Sequence, residues 1–180
     1  MGEAESYQQY EVLKREDGSL WELGRGGMGV TYKAYDTKLR RVVALKVING
    51  VYLSSDMARQ RFLREARAAA ALQHQNVASI FNLGTNLGEY FYVMEFIDGE
   101  TLDAYVRRKG PLELTEALNI SIQVSRALDA AAQQHLTRNS AHRPGTTWKH
   151  TSSRSSAAPA YRVGASRTQG KSHRFFAIGT

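Results

Sequence analysis

A glycine-rich run is the feature of this chain that most constrains its fold. The run consists of Leu23, Gly24, Arg25, Gly26, Gly27, Met28, Gly29 and Val30. Because glycine has no Cβ atom, such a backbone can approach a polyphosphate closely and offer N–H donors to it. Strand-forming residues follow at once, among them Thr31, Tyr32 and Tyr35. The run therefore predicts a hairpin turn between two strands, whereas the glycine-rich turn of dinucleotide-binding domains joins a strand to a helix. A plain glycine-rich hairpin without a ligand is the alternative interpretation.

A lysine inside an apolar strand is the second feature. Lys46 ends the sequence Val-Ala-Leu-Lys and lies within the nearly continuous apolar run 42–48. An ammonium group in such surroundings is costly unless something pairs with it. Lys46 is therefore a candidate phosphate-binding residue. Taken alone, it also fits an edge strand that is exposed to solvent.

Residue patterns predict the remaining elements. Alternation and turn signals predict strands at 10–13, 20–23, 30–35, 42–48, 77–83 and 90–96. Helical periodicity predicts helices at 57–73, 101–109 and 113–134. The sequence Asp17-Gly18 predicts the turn of the first hairpin, and Ser54-Ser55-Asp56 offers N-caps for the first helix.

In motif order and spacing, residues 10–135 resemble the protein kinases, and most closely the bacterial eukaryotic-like serine/threonine kinases. The resemblance rests on the glycine-rich run, on the Val-Ala-Leu-Lys sequence and on a hinge-like sequence that begins at Met94. It implies an α+β fold in which residues 10–110 form a kinase N-lobe, a five-stranded antiparallel sheet plus one helix. Residues 111–135 would be the first helices of a truncated C-lobe. The implied activity is phosphoryl transfer from ATP to Ser or Thr of a protein substrate, with Mg²⁺ in the intact family.

The resemblance also implies a role for each site residue. Lys46 would orient the phosphates of ATP, Glu65 would hold Lys46, and the glycine-rich run would cover ATP. The residues implied in binding the adenine base are Leu23, Val30, Ala44, Met94, Glu95 and Ile97. Met94 would be the gatekeeper, and Glu95 and Ile97 would act through their backbones. Thr31 stands where the family template has valine.

The resemblance fails where the family's catalytic acids are expected. No Asp or Glu occurs after Asp129, so the His-Arg-Asp and Asp-Phe-Gly motifs have no counterpart. The chain then has no carboxylate to accept a hydroxyl proton or to hold Mg²⁺, and we expect it to be inactive as it stands. A shifted reading frame near codon 135 is one explanation, and a genuine truncated pseudokinase is another. The protein sequence alone does not separate them.

Charge and composition divide the chain at the same place. Residues 1–135 hold all 17 acidic and 16 of the 24 basic residues, whereas residues 136–180 hold eight basic residues and none that is acidic. Thirteen of those last 45 residues are Ser or Thr, and their apolar residues have no sustained period. This composition predicts a disordered basic tail over 136–180, just as residues 1–9 are expected to be a flexible N-terminus.

The tail also raises an alternative function. A non-enzymatic pseudokinase adaptor could use its cations to bind nucleic acid or an anionic membrane. The cations are spaced singly, however, and dispersed charge is typical of a solvated segment. The absence of cysteine and of an apolar leader favours a cytoplasmic location. The sequence predicts no protein metal ligands, and it does not indicate the protein substrate or the oligomeric state.

Overall fold

The structure is a computed structural model that describes residues 6–140, 161–167 and 173–179. Its strands are β1 (Ser6–Tyr7), β2 (Tyr10–Val12), β3 (Glu22–Gly26), β4 (Gly29–Asp36), β5 (Arg41–Ile48), β6 (Ile80–Asn86), β7 (Glu89–Glu95), β8 (Gly99–Thr101), β9 (Tyr161–Arg167) and β10 (His173–Gly179). Its α-helices are α1 (Asp56–Ala70), α2 (Leu102–Lys109) and α3 (Leu114–Ser140), and a 3-10 turn covers Gly50–Leu53. No helix in these described ranges is long and apolar enough to span a bilayer.

The chain forms two compact units. The first contains the residues up to Gln73 together with Ala78–Asp98, and the second contains His74–Val77 and the residues from Gly99 onward. This division falls after Asp98, before the predicted N-lobe limit at residue 110.

The first unit is built on one antiparallel sheet with the strand order β1-β2-β4-β5-β7-β6. Strand β4 is long enough to pair with β2 along Ala34–Asp36 and with β3 along Gly29–Tyr32. The predicted count of five strands is too low, because the sheet has seven. Six of the seven match the strand ranges predicted one by one from residue patterns, and the seventh, β1, was missed because it has only two residues and folds back on β2 through Gln8, whose φ is +58°.

The predicted hairpin at Asp17-Gly18 is present. Lys14 and Leu20 form an isolated antiparallel bridge, and Gly18 has a φ of +82°. The Asp17 carboxylate accepts hydrogen bonds from the Ser19 backbone N–H (2.9 Å) and hydroxyl (2.6 Å), which lower the pKa of Asp17. The turn is thus held by the side chain that predicted it.

One face of the sheet carries the core of the first unit. The buried members of this cluster are Tyr7, Tyr10, Val12, Ala34, Val43, Leu45, Phe91 and Val93. Phe91 is fully buried and makes edge-to-face contacts with Tyr7 and Tyr10, at centroid distances of 5.5 and 6.1 Å. Gly84 lies opposite Phe91 in β6 and leaves room for its ring, since a Cβ at Gly84 would lie 2.6 Å from Phe91 Cζ.

Helix α1 belongs to the same unit and packs through its apolar face. Ser55 is the N-cap, and its hydroxyl accepts a hydrogen bond from the Ala58 N–H at 3.1 Å. Phe62 and Ala66 are buried, and the Phe62 ring meets Tyr90 edge-to-face at 5.9 Å. The apolar spacing thus fixes which side of the helix faces the sheet.

In the second unit, α2 begins at the N-cap Thr101 and ends at Gly110, whose φ is +90°. The buried Tyr105 joins α2 to α3, because its hydroxyl donates to Glu116 at 2.6 Å. Lys109 adds an ion pair to the other oxygen of Glu116, also at 2.6 Å.

The apolar residues of helix α3 form two stripes along the helix. Ile120 and Ala127, on one stripe, are buried. Leu118, Ile122 and Leu128, on the other, are 46–53% exposed. One stripe therefore contributes to the core of the second unit and the other does not.

In the described part of residues 136–180 the structure has regular elements where the sequence predicted disorder. Helix α3 continues to Ser140, and β9 and β10 pair in register from Tyr161↔Gly179 to Arg167↔His173. Strand β9 also pairs with β8. The prediction of disorder rested on the lack of a regular spacing of apolar residues. Strand pairing does not need that spacing, because it is made by hydrogen bonds between backbone N–H and C=O groups. The other residues of the predicted tail, and residues 1–5, lie outside the described residues.

Candidate functional site

The glycine-rich run forms the predicted hairpin turn. Gly26 and Gly29 are paired across β3 and β4, and Gly27 and Met28 make the turn between them. The carbonyl oxygen of Met28 accepts a hydrogen bond from the backbone N–H of Asn49, at 2.9 Å. The turn is therefore tied to the chain just beyond β5, the strand that carries Lys46.

The glycines of this turn differ in what the fold requires of them. Gly29 has a φ of +148°, and a Cβ there would lie 1.9 Å from the carbonyl oxygen of Val47. Gly26 and Gly27 have no such φ, and a Cβ at either would meet no atom within 4 Å. Of these three positions, the fold therefore needs glycine at position 29. At positions 26 and 27 glycine leaves open space above the backbone, which suits the close approach of a ligand.

Two side chains before the turn are arranged along β3. The register shifts between Glu22 and Gly24, so Leu23 lies at a β-bulge, 38% exposed. Arg25 forms a two-pronged ion pair with Glu22, with Nη2–Oε2 at 2.7 Å and Nε–Oε1 at 3.2 Å. This hydrogen bonding and the carboxylate charge raise the pKa of Arg25. The Arg25 guanidinium is thus paired with a carboxylate of the same strand, β3.

Lys46 lies in the middle of the sheet and is only 6% exposed. It stands opposite Thr31 in β4 and Tyr92 in β7, and its Nζ is 5.8 Å from the centroid of the Tyr92 ring. Burial raises the pKa of the Tyr92 phenol, which keeps it neutral at physiological pH. The lysine is therefore on a central strand, which excludes the alternative of an edge-strand lysine in solvent.

Glu65 is half-buried in the third turn of α1, next to the buried Ala66. Among the side chains that the structure describes, Glu65 takes part in none of the ion pairs. Its predicted pairing with Lys46 stays a prediction.

The strand register decides which predicted residues share a face with Lys46. Residues directly opposite each other in antiparallel strands project to the same side of the sheet. Ala44 lies opposite Met94, and Lys46 lies opposite Thr31, so these four residues share one face. Val30 lies opposite Val47 and projects to the other face. Thr31, beside Lys46, therefore takes the place on this face that the prediction gave to Val30.

Thr31 was missed because the run of glycines does not reveal the side-chain parity of the strand that follows. Its position in the template, where the family has valine, was the available signal.

The segment after β7 completes the set of predicted residues. Met94 is 4% exposed and fills the sheet between Ala44 and Ile80. The Glu95 backbone N–H donates to the Ser79 carbonyl at 2.8 Å. Beyond it, the segment Phe96–Asp98 has no regular secondary structure. The hydrogen bonds between described residues include none from the backbone N–H or carbonyl of Ile97, so both groups are available to a ligand.

Within the described parts of the chain, no cluster of three or more His, Asp or Glu side chains is arranged to hold a metal ion. The donor set for Mg²⁺ that the kinase resemblance implies does not fit these residues. The residues predicted to bind the nucleotide all lie within the described part of the chain. They include a glycine turn with open space at Gly26 and Gly27, the buried Lys46 on the neighbouring strand, and the irregular segment Phe96–Asp98.

Comparison with known proteins identifies the family of the chain. Residues 19–139 match the protein kinase domain. The chain is 40% identical over 128 residues to serine/threonine-protein kinase PrkC of Bacillus subtilis, covering 71% of this chain and 19% of PrkC. It is 41% identical over 124 residues to the probable serine/threonine-protein kinase PknB of Lactococcus lactis, covering 68% of this chain and 19% of PknB. The chain thus spans about a fifth of the length of these relatives.

Solved structures show the same fold. The PknI kinase domain of Mycobacterium tuberculosis superimposes with a TM-score of 0.68 at 22% identity, over 99% of this chain and 62% of that one. A second PknI kinase domain structure gives a TM-score of 0.62 at 27% identity, over 74% of this chain and 51% of that one. The α+β prediction of a kinase N-lobe and the start of a C-lobe is confirmed. This chain belongs to the protein kinase domain family.

Proposed function

We propose that this chain is the ATP-binding part of a protein serine/threonine kinase. The observation that carries the proposal is the buried Lys46, on the same sheet face as Ala44 and beside a glycine turn whose residues Gly26 and Gly27 leave open space. A buried cation and a glycine turn whose backbone a ligand can approach closely are complementary to the phosphates of ATP. The partners are then ATP and a protein that presents Ser or Thr hydroxyls, and the location is the cytoplasm.

In this proposal each group has one task. The glycine turn covers the phosphates, and Lys46 binds the α- and β-phosphates with Glu65 as its orienting partner. Leu23, Ala44 and Thr31 pack against the adenine base under the gatekeeper Met94. The Ile97 backbone N–H, together with the Glu95 carbonyl, holds the edge of the base. ATP supplies the phosphoryl group, and these residues bind and orient it.

The chain as given lacks the groups for the transfer step. No acidic residue follows Asp129, and the described residues offer no metal-binding cluster. Without a carboxylate base or Mg²⁺ ligands, the hydroxyl of a substrate is not deprotonated and the phosphate charge is not neutralised. We therefore expect nucleotide binding without useful phosphoryl transfer.

Two measurements test the proposal. Binding of a fluorescent ATP analogue is compared between the wild type and Lys46→Met, which keeps the length of the side chain and removes its charge. We expect a loss of affinity of about tenfold or more, equivalent to about 1.4 kcal/mol. Equal affinity of the two proteins would contradict the proposed site.

The second measurement compares the wild type with Lys46→Ala in phosphate transfer from labelled ATP to a generic protein substrate. Wild-type turnover above this control would contradict the expected inactivity.

A shifted reading frame would explain why the acidic residues of the His-Arg-Asp and Asp-Phe-Gly motifs are missing. We propose that the reading frame shifts near codon 135, since the kinase match ends at residue 139 and the acidic residues end at Asp129. Sequencing codons 125–145 and translating all three frames downstream tests this. A frame with His-Arg-Asp and Asp-Phe-Gly at family spacing supports the shift. Its absence means that the sequence from codon 135 onward is genuine, and that its partners, including nucleic acid and anionic membranes, become the question.

A further inference from the structure

The irregular segment Phe96–Asp98 is held by a cation between two aromatic rings. The Nζ atom of Lys33 lies 4.8 Å from the centroid of the Phe96 ring and 4.0 Å from the centroid of a Trp21 ring. Both distances are within the ~6 Å over which an ammonium group is attracted to an aromatic face. We call these three residues the Lys33 clasp.

Two members of the Lys33 clasp are fixed by the sheet. The backbone N–H of Lys33 donates to the carbonyl of Trp21 at 2.8 Å, and the N–H of Trp21 donates to the carbonyl of Leu13 at 2.7 Å. Lys33 stands opposite Ala44 in β5, so its side chain leaves the sheet on the face that also carries Lys46. The third member, Phe96, belongs to a segment without strand or helix hydrogen bonds.

The contact between Lys33 and Phe96 matters because of where Phe96 lies in the chain. Phe96 directly precedes Ile97, whose backbone N–H and carbonyl form no hydrogen bond with other described residues. The contact between the Phe96 ring and Lys33 therefore restrains the segment next to a residue that has no backbone hydrogen bond of its own among the described residues. Trp21 is exposed and Phe96 is half-buried, so the attraction through Lys33 adds to a modest apolar contact.

We propose that Lys33 is a positioning residue that orients Phe96–Asp98 and so presents the Ile97 backbone to the adenine base. This inference rests on the proposed nucleotide site. Lys33 does not act on the phosphates, since its ammonium group lies between two rings. A preorganised segment binds more tightly because less of its conformational freedom is lost on binding.

The test uses the full chain with Trp148→Phe, which leaves Trp21 as the only tryptophan of the two in the sequence. Lys33→Met removes the charge at nearly constant length. Lys33→Arg keeps a cation that stacks on aromatic rings. Lys38→Met is the matched control, because Lys38 is exposed in the turn after β4.

Three readouts distinguish a change in the Lys33 clasp from a change in nucleotide binding. Limited digestion with chymotrypsin, without nucleotide, measures how fast the chain is cut after Phe96, and mass spectrometry identifies the cut. Titration with a fluorescent ATP analogue measures affinity, and Trp21 emission reports the loss of the cation. For Lys33→Met we expect faster cleavage after Phe96 and an affinity about three- to tenfold weaker. Lys33→Arg and Lys38→Met should behave as the parent protein.

Unchanged cleavage in Lys33→Met would overturn the clasp. Faster cleavage with unchanged affinity would overturn its role in positioning the Ile97 backbone. If the parent protein binds no adenine nucleotide, the proposed function fails, and the role of the clasp in binding fails with it. Digestion still shows in that case whether Lys33 restrains Phe96, so the two failures are distinguishable.

Discussion

Replacing Gly29 by alanine tests whether the fold itself requires the last glycine of the turn. The φ of +148° is a conformation that residues with a Cβ rarely adopt, and the new Cβ would lie 1.9 Å from the carbonyl oxygen of Val47. Holding a non-glycine residue there costs about 1–3 kcal/mol. Relieving the overlap moves β4 away from β5 and weakens at least one ladder hydrogen bond, about 1 kcal/mol more. We therefore expect a loss of about 2–4 kcal/mol in the free energy of unfolding.

Thermal unfolding followed by circular dichroism measures this loss. For a unit of 60–100 residues, 1 kcal/mol shifts the Tm by about 4–8 °C, so Gly29→Ala should lower the Tm by about 8–32 °C. Gly26→Ala is the matched control, because a Cβ at position 26 meets no atom within 4 Å. Its Tm should be unchanged or slightly raised, since alanine reduces the freedom of the unfolded chain.

Gly26→Ala, which should leave stability unchanged, is expected to lower the affinity for nucleotide. Gly26→Ala should bind the ATP analogue more weakly than the wild type while keeping its stability, because the methyl group fills space that the phosphates need. A Tm of Gly29→Ala within about 3 °C of the wild type would refute the reasoning about the fold, given a shift of ~4 °C or more per kcal/mol. Unchanged affinity of Gly26→Ala would instead contradict the ligand role of the open space.

Two further substitutions test the packing of each unit. Gly84→Ala places a Cβ 2.6 Å from Phe91 Cζ in the core and should cost about 1–3 kcal/mol, whereas Gly50→Ala, with open space, should cost nothing measurable by the same thermal melt. Tyr105→Phe removes the 2.6 Å hydrogen bond to Glu116 and should cost about 1–2 kcal/mol in urea unfolding; an unchanged midpoint would mean that this bond does not join α2 to α3.

Much of the first unit follows from local sequence. The glycine run, the turn at Asp17-Gly18 and the apolar spacing around Phe62 each determine their own structure through neighbours a few residues away. The face of the strand after the glycine turn was harder to predict. A slip of one residue moves every side chain of a strand to the other face, and the bulge at Leu23 means that counting from the preceding strand gives the wrong parity.

Other features depend on contacts between distant residues. The Lys33 clasp brings together Trp21, Lys33 and Phe96, and nothing near Lys33 in the sequence marks it as different from Lys38. The pairing of β9 with β10 was missed for a different reason. The prediction relied on apolar period, whereas a backbone ladder forms between strands whose side chains have no such period.

The glycine turn shows most clearly what sequence and structure each contribute. Gly26, Gly27 and Gly29 look alike in the sequence, and the kinase resemblance assigns all of them to ATP. The structure separates them, because only Gly29 has a positive φ and an obstructed Cβ position. Glycine at 29 is explained by the fold whether or not a nucleotide binds. Glycine at 26 and 27 has no such explanation, so these two positions are the stronger evidence for a ligand.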